Sequence, residues 1–226
     1  MNTDGLTFMK KIKSNTIDLI LTDPPYAITK IVTEKNDGIT EWDKYHNTRS
    51  EWEQWDKYFT LKTLDTFIKS FNEKLRVGGT LILFCDLWKI ETIKKILERR
   101  EFKQIRMIEW VKTNPQPRNS HTTYLANARE VALVAVKKGL PTFNSHYDNG
   151  IYQHATQVKN RIHPTQKSLK LFEELILKHS NEGDVVLDPF LGAGTTFFAC
   201  EKHNRICFGC EINKSYFLDM LDLYEY

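Results

Sequence analysis

The sequence lacks any apolar run approaching the roughly 20 residues that span a bilayer, which excludes a helical membrane protein. Its first residues, MNTDGLTFMKKIK, hold no apolar stretch of signal-peptide length. Cysteine is scarce, four in 226 residues and none in disulfide-framework spacing, which points to a reducing cytoplasm. One CxxC occurs at Cys207–Cys210, but no second pair completes a zinc site, and within a strand positions i and i+3 face opposite sides. His146, His154 and His163 lack the short spacings of helical zinc ligands, so no metal is expected, and the first two read as surface residues. There is no internal repeat and no low-complexity tract. A hydrophobic fraction of 41% suffices for one well-filled core, with or without a small appended subdomain.

Acids are short in one stretch. Residues 100–170 hold twelve Lys/Arg against Glu101, Glu109, Glu130 and Asp148, a net of +8, and the rest of the chain carries −5. Such segregation suggests a surface facing a polyanion; an ordinary solvated face is the plain alternative. Residues 27–60 carry −2, which suits phosphate poorly. Trp42, Tyr45, Trp52, Trp55 and Tyr58 therefore read as packing residues rather than base-stacking platforms.

Strands and helices alternate, the mark of an α/β sheet flanked by helices. Ile17–Thr22 (IDLILT) reads as a buried strand stopped by a double proline. Ser50–Glu53 forms a capping box, and apolar residues from Trp52 to Leu75 recur at helical spacing until Gly78-Gly79 ends the helix. Thr80–Cys85, Ile105–Val111, Val131–Val136, Val185–Asp188 and Arg205–Cys210 read as strands. Leu87–Arg100, Ser168–Ser180, about 195–203 and the C-terminus from Asn213 read as helices, while 27–49 and 139–162 lack a period.

The run Asp188-Pro-Phe190-Leu-Gly192-Ala-Gly194-Thr-Thr joins a strand to a helix. Its glycines remove side chains where a ligand must approach the backbone, and the helix start offers free N–H donors. Glu211 lies 23 residues beyond Asp188, at the end of the next strand, where a ribose diol is commonly held. The run is not a Walker P-loop, because it lacks the Lys-Ser/Thr, nor a dinucleotide fingerprint, because Phe197 takes the third glycine position. A glycine turn that serves packing alone is the bland reading.

Asp23-Pro24-Pro25-Tyr26 directly follows the first strand, and open α/β sheets bind ligands outside the carboxyl ends of their strands. The set suits an exocyclic amine. Asp23 and a stiffened carbonyl each accept one N–H and support the charge that develops on nitrogen, while Tyr26 stacks on an extruded base. A proline-rich turn is the plain alternative.

Together these strings resemble the DNA amino-methyltransferases, in particular the circularly permuted β class, in which DPPY precedes the cofactor motif. Asp23–Tyr26 comes first here, and HPTQKSLKLFEELILKHSNEGDVVLDPFLGAGTT (163–196) near the end. The resemblance implies a Rossmann-like S-adenosylmethionine-dependent fold, a mostly parallel seven-stranded sheet with one antiparallel strand, helices on both faces and circularly permuted motif order. It makes Asp23, Pro24, Pro25 and Tyr26 catalytic. Asp4, Thr165, Lys167, Asp188, Phe190, Gly192, Gly194 and Glu211 become the S-adenosylmethionine site, with Thr165 and Lys167 near its methionine end. The family's strand before Asp4 is very short or missing, since only Met1–Thr3 precede it.

On this reading 1–226 is a single methyltransferase domain, with a target-recognition excursion within 112–162 and a flexible loop at 27–49 that is the candidate to close over a flipped base. Lys112, Arg118, Lys159 and Arg161 are the candidate DNA contacts. DPPY leans toward N6 of adenine in double-stranded DNA. N4 of cytosine, an RNA substrate and a non-catalytic DNA-binding subunit are the rivals. Homodimerisation is common in the class, and a cognate restriction endonuclease is the other partner it raises.

Overall fold

The computed structural model describes residues 1–26, 59–115, 126, 128–157 and 166–224. Strands β1 (Ile17–Thr22), β2 (Leu75–Cys85), β3 (Lys103–Lys112), β4 (Arg129–Val136), β5 (Ile151–His154), β6 (Val185–Asp188) and β7 (Ile206–Gly209) form one sheet. Their order is β5-β3-β4-β2-β1-β6-β7. β4 pairs antiparallel with β2 and β3, and every other pairing is parallel, so β4 alone runs against the rest. The expected seven-stranded sheet is the one observed.

Helices α1 (Gly5–Lys10), α2 (Leu61–Lys74) and α3 (Ile90–Arg99) cover one face; α4 (Leu169–His179) and α5 (Thr195–Lys202) cover the other. A last helix, α6 (Lys214–Tyr224), follows β7. The period of two decides which core each strand residue joins. Leu81, Leu83, Val131, Leu133 and Ala135 enter the core under α1–α3, whereas Ile82, Phe84, Ala132 and Val134 enter the core under α4 and α5. With both faces covered, the central strands read as continuous apolar runs. Each large aliphatic buried this way contributes about 1.5–3 kcal/mol.

Two expectations need correction. Gly78-Gly79 does not end a helix. α2 stops at Lys74, Leu75 already has extended ψ 140, and the two glycines lie inside β2. There they form an irregularity: the β1–β2 register jumps between Ile17 and Leu19, Gly78 has φ +79, and a Cβ on Gly79 would strike the Arg76 carbonyl. The capping box at Ser50–Glu53, Trp52, Trp55 and the loop 27–49 lie outside the described residues; α2 begins at an N-cap, Thr60, whose Oγ1 accepts from Thr63 N at 3.2 Å. The 139–162 excursion contains β5, four residues too short to show a period. β5 follows the Asp148-Asn149-Gly150 turn, in which the two side chains accept from Gly150 N and Ile151 N.

The strand before Asp4 is reduced to one parallel bridge, Asn2 with Glu211. Cys207 and Cys210 pack against opposite cores, as strand alternation requires. His154 is no free surface residue, because its Nε2 lies 2.7 Å from Glu174 Oε2. Among the described residues no helix is long and apolar enough to cross a membrane.

The chain leaves β1 toward β2 and leaves the neighbouring β6 toward β7 on the other side. The carboxyl ends of β1 and β6 thus flank the point where the sheet's winding reverses, the crevice in which such sheets hold ligands.

Candidate active site

Asp23 is the first residue beyond β1, and Asp188 is the last of β6. Asp188 is 3% exposed, and three donors take up its carboxylate: Thr22 Oγ1 at 2.8 Å, Thr196 Oγ1 at 2.5 Å and Phe190 N at 3.0 Å. Burial pushes its pKa up to about 6 against these donors. Asp188, expected among the cofactor contacts, has no oxygen left without a partner. It ties the two loops together.

Asp23 is only half committed. Its Oδ2 pairs with Lys167 Nζ at 2.6 Å, whereas Oδ1 is buried and has no hydrogen-bond partner among the described residues. Burial raises its pKa, Lys167 opposes that, and Glu130 adds to it. A buried acceptor without a partner is costly, and one further donor would satisfy this oxygen.

Lys167 is the centre of the site. An ammonium has three donors, and all three are used: on Asp23 Oδ2, on Glu130 Oε2 at 2.8 Å and on the Tyr26 hydroxyl at 3.2 Å. Burial alone would strip its proton, but the two carboxylates outweigh that and raise its pKa. It also lies 5.4 Å from the ring centroids of Tyr26 and Phe84. Lys167, expected at the methionine end of the cofactor, here spends its donors on Asp23, Glu130 and Tyr26. Burial and the neighbouring Asp23 and Glu130 push the Tyr26 phenol well up, so it remains a donor and a neutral ring. Lys89 Nζ donates to the Tyr26 carbonyl at 2.7 Å and anchors the end of the motif.

Glu130, at the start of β4, was not singled out from sequence. Its signal was a lone acid opening the apolar run Val131–Val136. Its Oε1 meets Lys112 Nζ at 2.6 Å. Burial would raise its pKa, but Lys167 and Lys112 outweigh this and bring it down to about 2. Lys112, a candidate DNA contact, has a largely buried side chain whose ammonium pairs with Glu130 and lies 5.3 Å from the Trp110 ring. The basic excess of 100–170 is likewise partly spent internally, with Arg100 on Asp65 and Arg129 on Glu109. Arg118, Lys159, Arg161 and Thr165 lie outside the described residues.

The glycine loop separates its two glycines by role. Gly192 has φ +54 and nothing within 4 Å of where a Cβ would stand, so it faces open space. Gly194 has φ +81, and a Cβ there would stand 2.5 Å from Met220 Cγ; the close approach it serves is that of α6. Glu211 closes the loop: Oε2 accepts from Gly192 N at 2.8 Å and Oε1 from Asn213 N at 2.7 Å. Each oxygen keeps a second lone pair for a hydroxyl donor. Asp4 caps α1 through Thr7 N at 2.9 Å, the Thr7 side chain and then its amide lower the Asp4 pKa, and Gly5 beside it abuts Pro189. Phe190 packs 4.7 Å from Phe67 and 5.6 Å from Phe59, ring centroid to ring centroid.

Such a sheet, with a half-free carboxylate beside a glycine loop and a ribose-type acid, defines a Rossmann-like methyltransferase. The chain belongs to the N6/N4 DNA methylase family, whose model matches residues 17–221. It is 30% identical over 227 residues to the Type II methyltransferase M2.MboI of Moraxella bovis, covering 91% of this chain and 80% of that protein. M2.DpnII of Streptococcus pneumoniae is 28% identical over 238 residues, with 96% and 85% covered. The crystal structure of the M1.HpyAVI–SAM complex matches with TM-score 0.70 and 30% identity, covering 98% and 96% of the two chains. PvuII DNA methyltransferase, cytosine-N4-specific, shares the fold at TM-score 0.72 and 17% identity, with 97% and 83% covered.

Proposed function

We propose that this S-adenosylmethionine-dependent DNA methyltransferase modifies N6 of adenine, at a specific sequence of double-stranded DNA, after the base leaves the helix. The observation that carries the reading is the buried Asp23 Oδ1 without a partner among the described residues. An exocyclic amine supplies the missing donor, and DPPY rather than SPPY favours adenine.

The residues present fit the cofactor, with open space over Gly192 and spare lone pairs on Glu211. When bound, S-adenosylmethionine supplies an electrophilic sulfonium methyl group. Asp23 Oδ1 accepts one amine N–H and the Pro24 carbonyl the other, which turns the nitrogen lone pair out of the ring plane. Tyr26 stacks on the base, and Lys167 keeps Asp23 from rotating. The methyl would pass to the nitrogen that these residues orient, and Asp23 Oδ1 would take up the amine proton that is released. Placement and charge complementarity supply most of the rate, without a covalent enzyme intermediate.

The domain reading over 1–226, with target recognition within 112–162, belongs to this proposal. M2.MboI and M2.DpnII are Type II methyltransferases, and a cognate endonuclease is the partner that likeness suggests; a homodimer is the oligomer the family resemblance suggests. The test is transfer of labelled methyl to unmethylated genomic DNA, followed by nucleoside mass spectrometry. N6-methyladenine supports the reading. N4-methylcytosine overturns the base, and product on RNA alone overturns the DNA substrate.

A further inference from the structure

We infer that Glu130, backed by Lys112, is a positioning residue for methyl transfer: it shares Lys167 with Asp23, so that Asp23 presents a free, negatively charged oxygen to the target amine. The inference rests on the proposed role of Asp23.

The fold explains why an acid of β4 reaches this site. β1 and β2 end at the catalytic edge, whereas β4 runs the other way and begins there. Val131 is opposite Cys85, the last residue of β2, so Glu130 stands one step further toward the crevice. On its other side Glu130 is paired with Trp110 of β3, whose final residue is Lys112. Reversing one strand therefore brings an acid and a base from two neighbouring strands to the place where Asp23 emerges. A fully parallel sheet would carry Glu130 to the opposite edge.

Charge arithmetic then separates this group from a simple ion pair. With Lys167 alone, a buried Asp23 would be neutralised, and its field at the amine would be cancelled. Glu130 takes a second Lys167 donor at 2.8 Å, and Lys112 balances Glu130 at 2.6 Å. Four charges thus sum to zero, yet Asp23 bears only part of the Lys167 attraction. The positive charge that grows on nitrogen during attack then meets an acceptor that has not already been saturated. Glu130 Oε2 also lies 3.4 Å from the Tyr26 hydroxyl, so the stacking ring and the carboxylate share one mount. Side chains held this way lose little order when the substrate arrives.

The groups that bear on Asp23 are Lys167, Glu130, Tyr26, Cys85 and Asp188, with Lys112 acting through Glu130 and Lys89 through the Tyr26 carbonyl. Removing the negative charge of Glu130 makes Asp23 easier to ionise; removing Lys112 makes it harder. The two changes have opposite signs, which a general structural defect would not produce.

The experiment uses the full-length protein and the variants Glu130→Gln and Lys112→Met. The first readout needs no substrate: carboxyl carbon NMR titration of labelled aspartate, with Asp23 assigned by its loss in Asp23→Asn. The Asp23 midpoint is expected to move to lower pH in Glu130→Gln and to higher pH in Lys112→Met. The second readout is kinetic. In Glu130→Gln kcat falls about ten- to a hundredfold with KM for S-adenosylmethionine within about twofold. Midpoints that stay fixed or move together, or a kcat unchanged in Glu130→Gln, overturn the inference. Wild-type protein without turnover on any nucleic acid instead overturns the reading of Asp23, and the titration still reports whether the coupling exists.

Discussion

The hydroxyl of Thr22 donates to Asp188 Oδ1 across 2.8 Å, joining the last residues of β1 and β6 at the point where the sheet's winding reverses. One strand leads into Asp23–Tyr26 and the other into the glycine loop. A single buried carboxylate therefore ties these two loops together.

That carboxylate has a stability signature. Its pKa in the fold is about 6, above the ordinary 3.8, so the native state holds a proton through this window that the unfolded chain has released. The contribution of Asp188 accordingly falls as pH rises from about 4 to about 6. Asp188→Asn carries no such charge. Thermal unfolding across pH should show the difference between variant and wild type moving in the variant's favour over that interval, and a constant difference would refute the assignment.

Asp23→Ala should reduce methyl transfer by at least about a thousandfold, because both the amine acceptor and its charge are lost. Titration calorimetry with S-adenosylmethionine should change by less than about threefold, since the Gly192–Glu211 loop is untouched. Retained turnover would remove Asp23 from the mechanism.

The two glycines of the loop should fail differently. Gly194→Ala meets Met220 and a left-handed backbone, costing about 1–3 kcal/mol in stability. Part of that cost should vanish when Met220 is already Ala. Gly192→Ala faces open space, so its stability loss should be about 1 kcal/mol, from φ +54 alone, while cofactor affinity drops. Chemical denaturation paired with calorimetry separates the two.

Lys178 fastens the outer strand. Its Nζ meets Asp148 Oδ2 at 2.7 Å and Glu174 Oε1 at 2.6 Å, and sits 4.5 Å from the Tyr152 ring centroid. Lys178→Met should destabilise the fold by about 1–3 kcal/mol. Hydrogen exchange should speed up at 151–154, with cofactor binding unchanged. Unaltered protection there would show that β5 is held by β3 alone.

What the amino-acid sequence determined by itself was local. Apolar runs such as Ile17–Thr22 and Val131–Val136 announce strands because burial on both faces leaves no polar alternation to disguise them. Asp23–Tyr26, the Gly192–Gly194 loop and Glu211 are legible because each lies within a few residues of a strand end, so spacing along the chain sets their position. What only the tertiary structure decided depends on residues far apart in sequence. Gly78-Gly79 look like a helix stop until β1 is laid beside them, and β5 is too short to be seen before β3 pairs with it. That Lys112 and Lys167 meet on Glu130 is invisible along the chain until the reversal of β4 brings the three together. Charges act through distance in space, and that distance is set by strand order and direction, which no local pattern encodes.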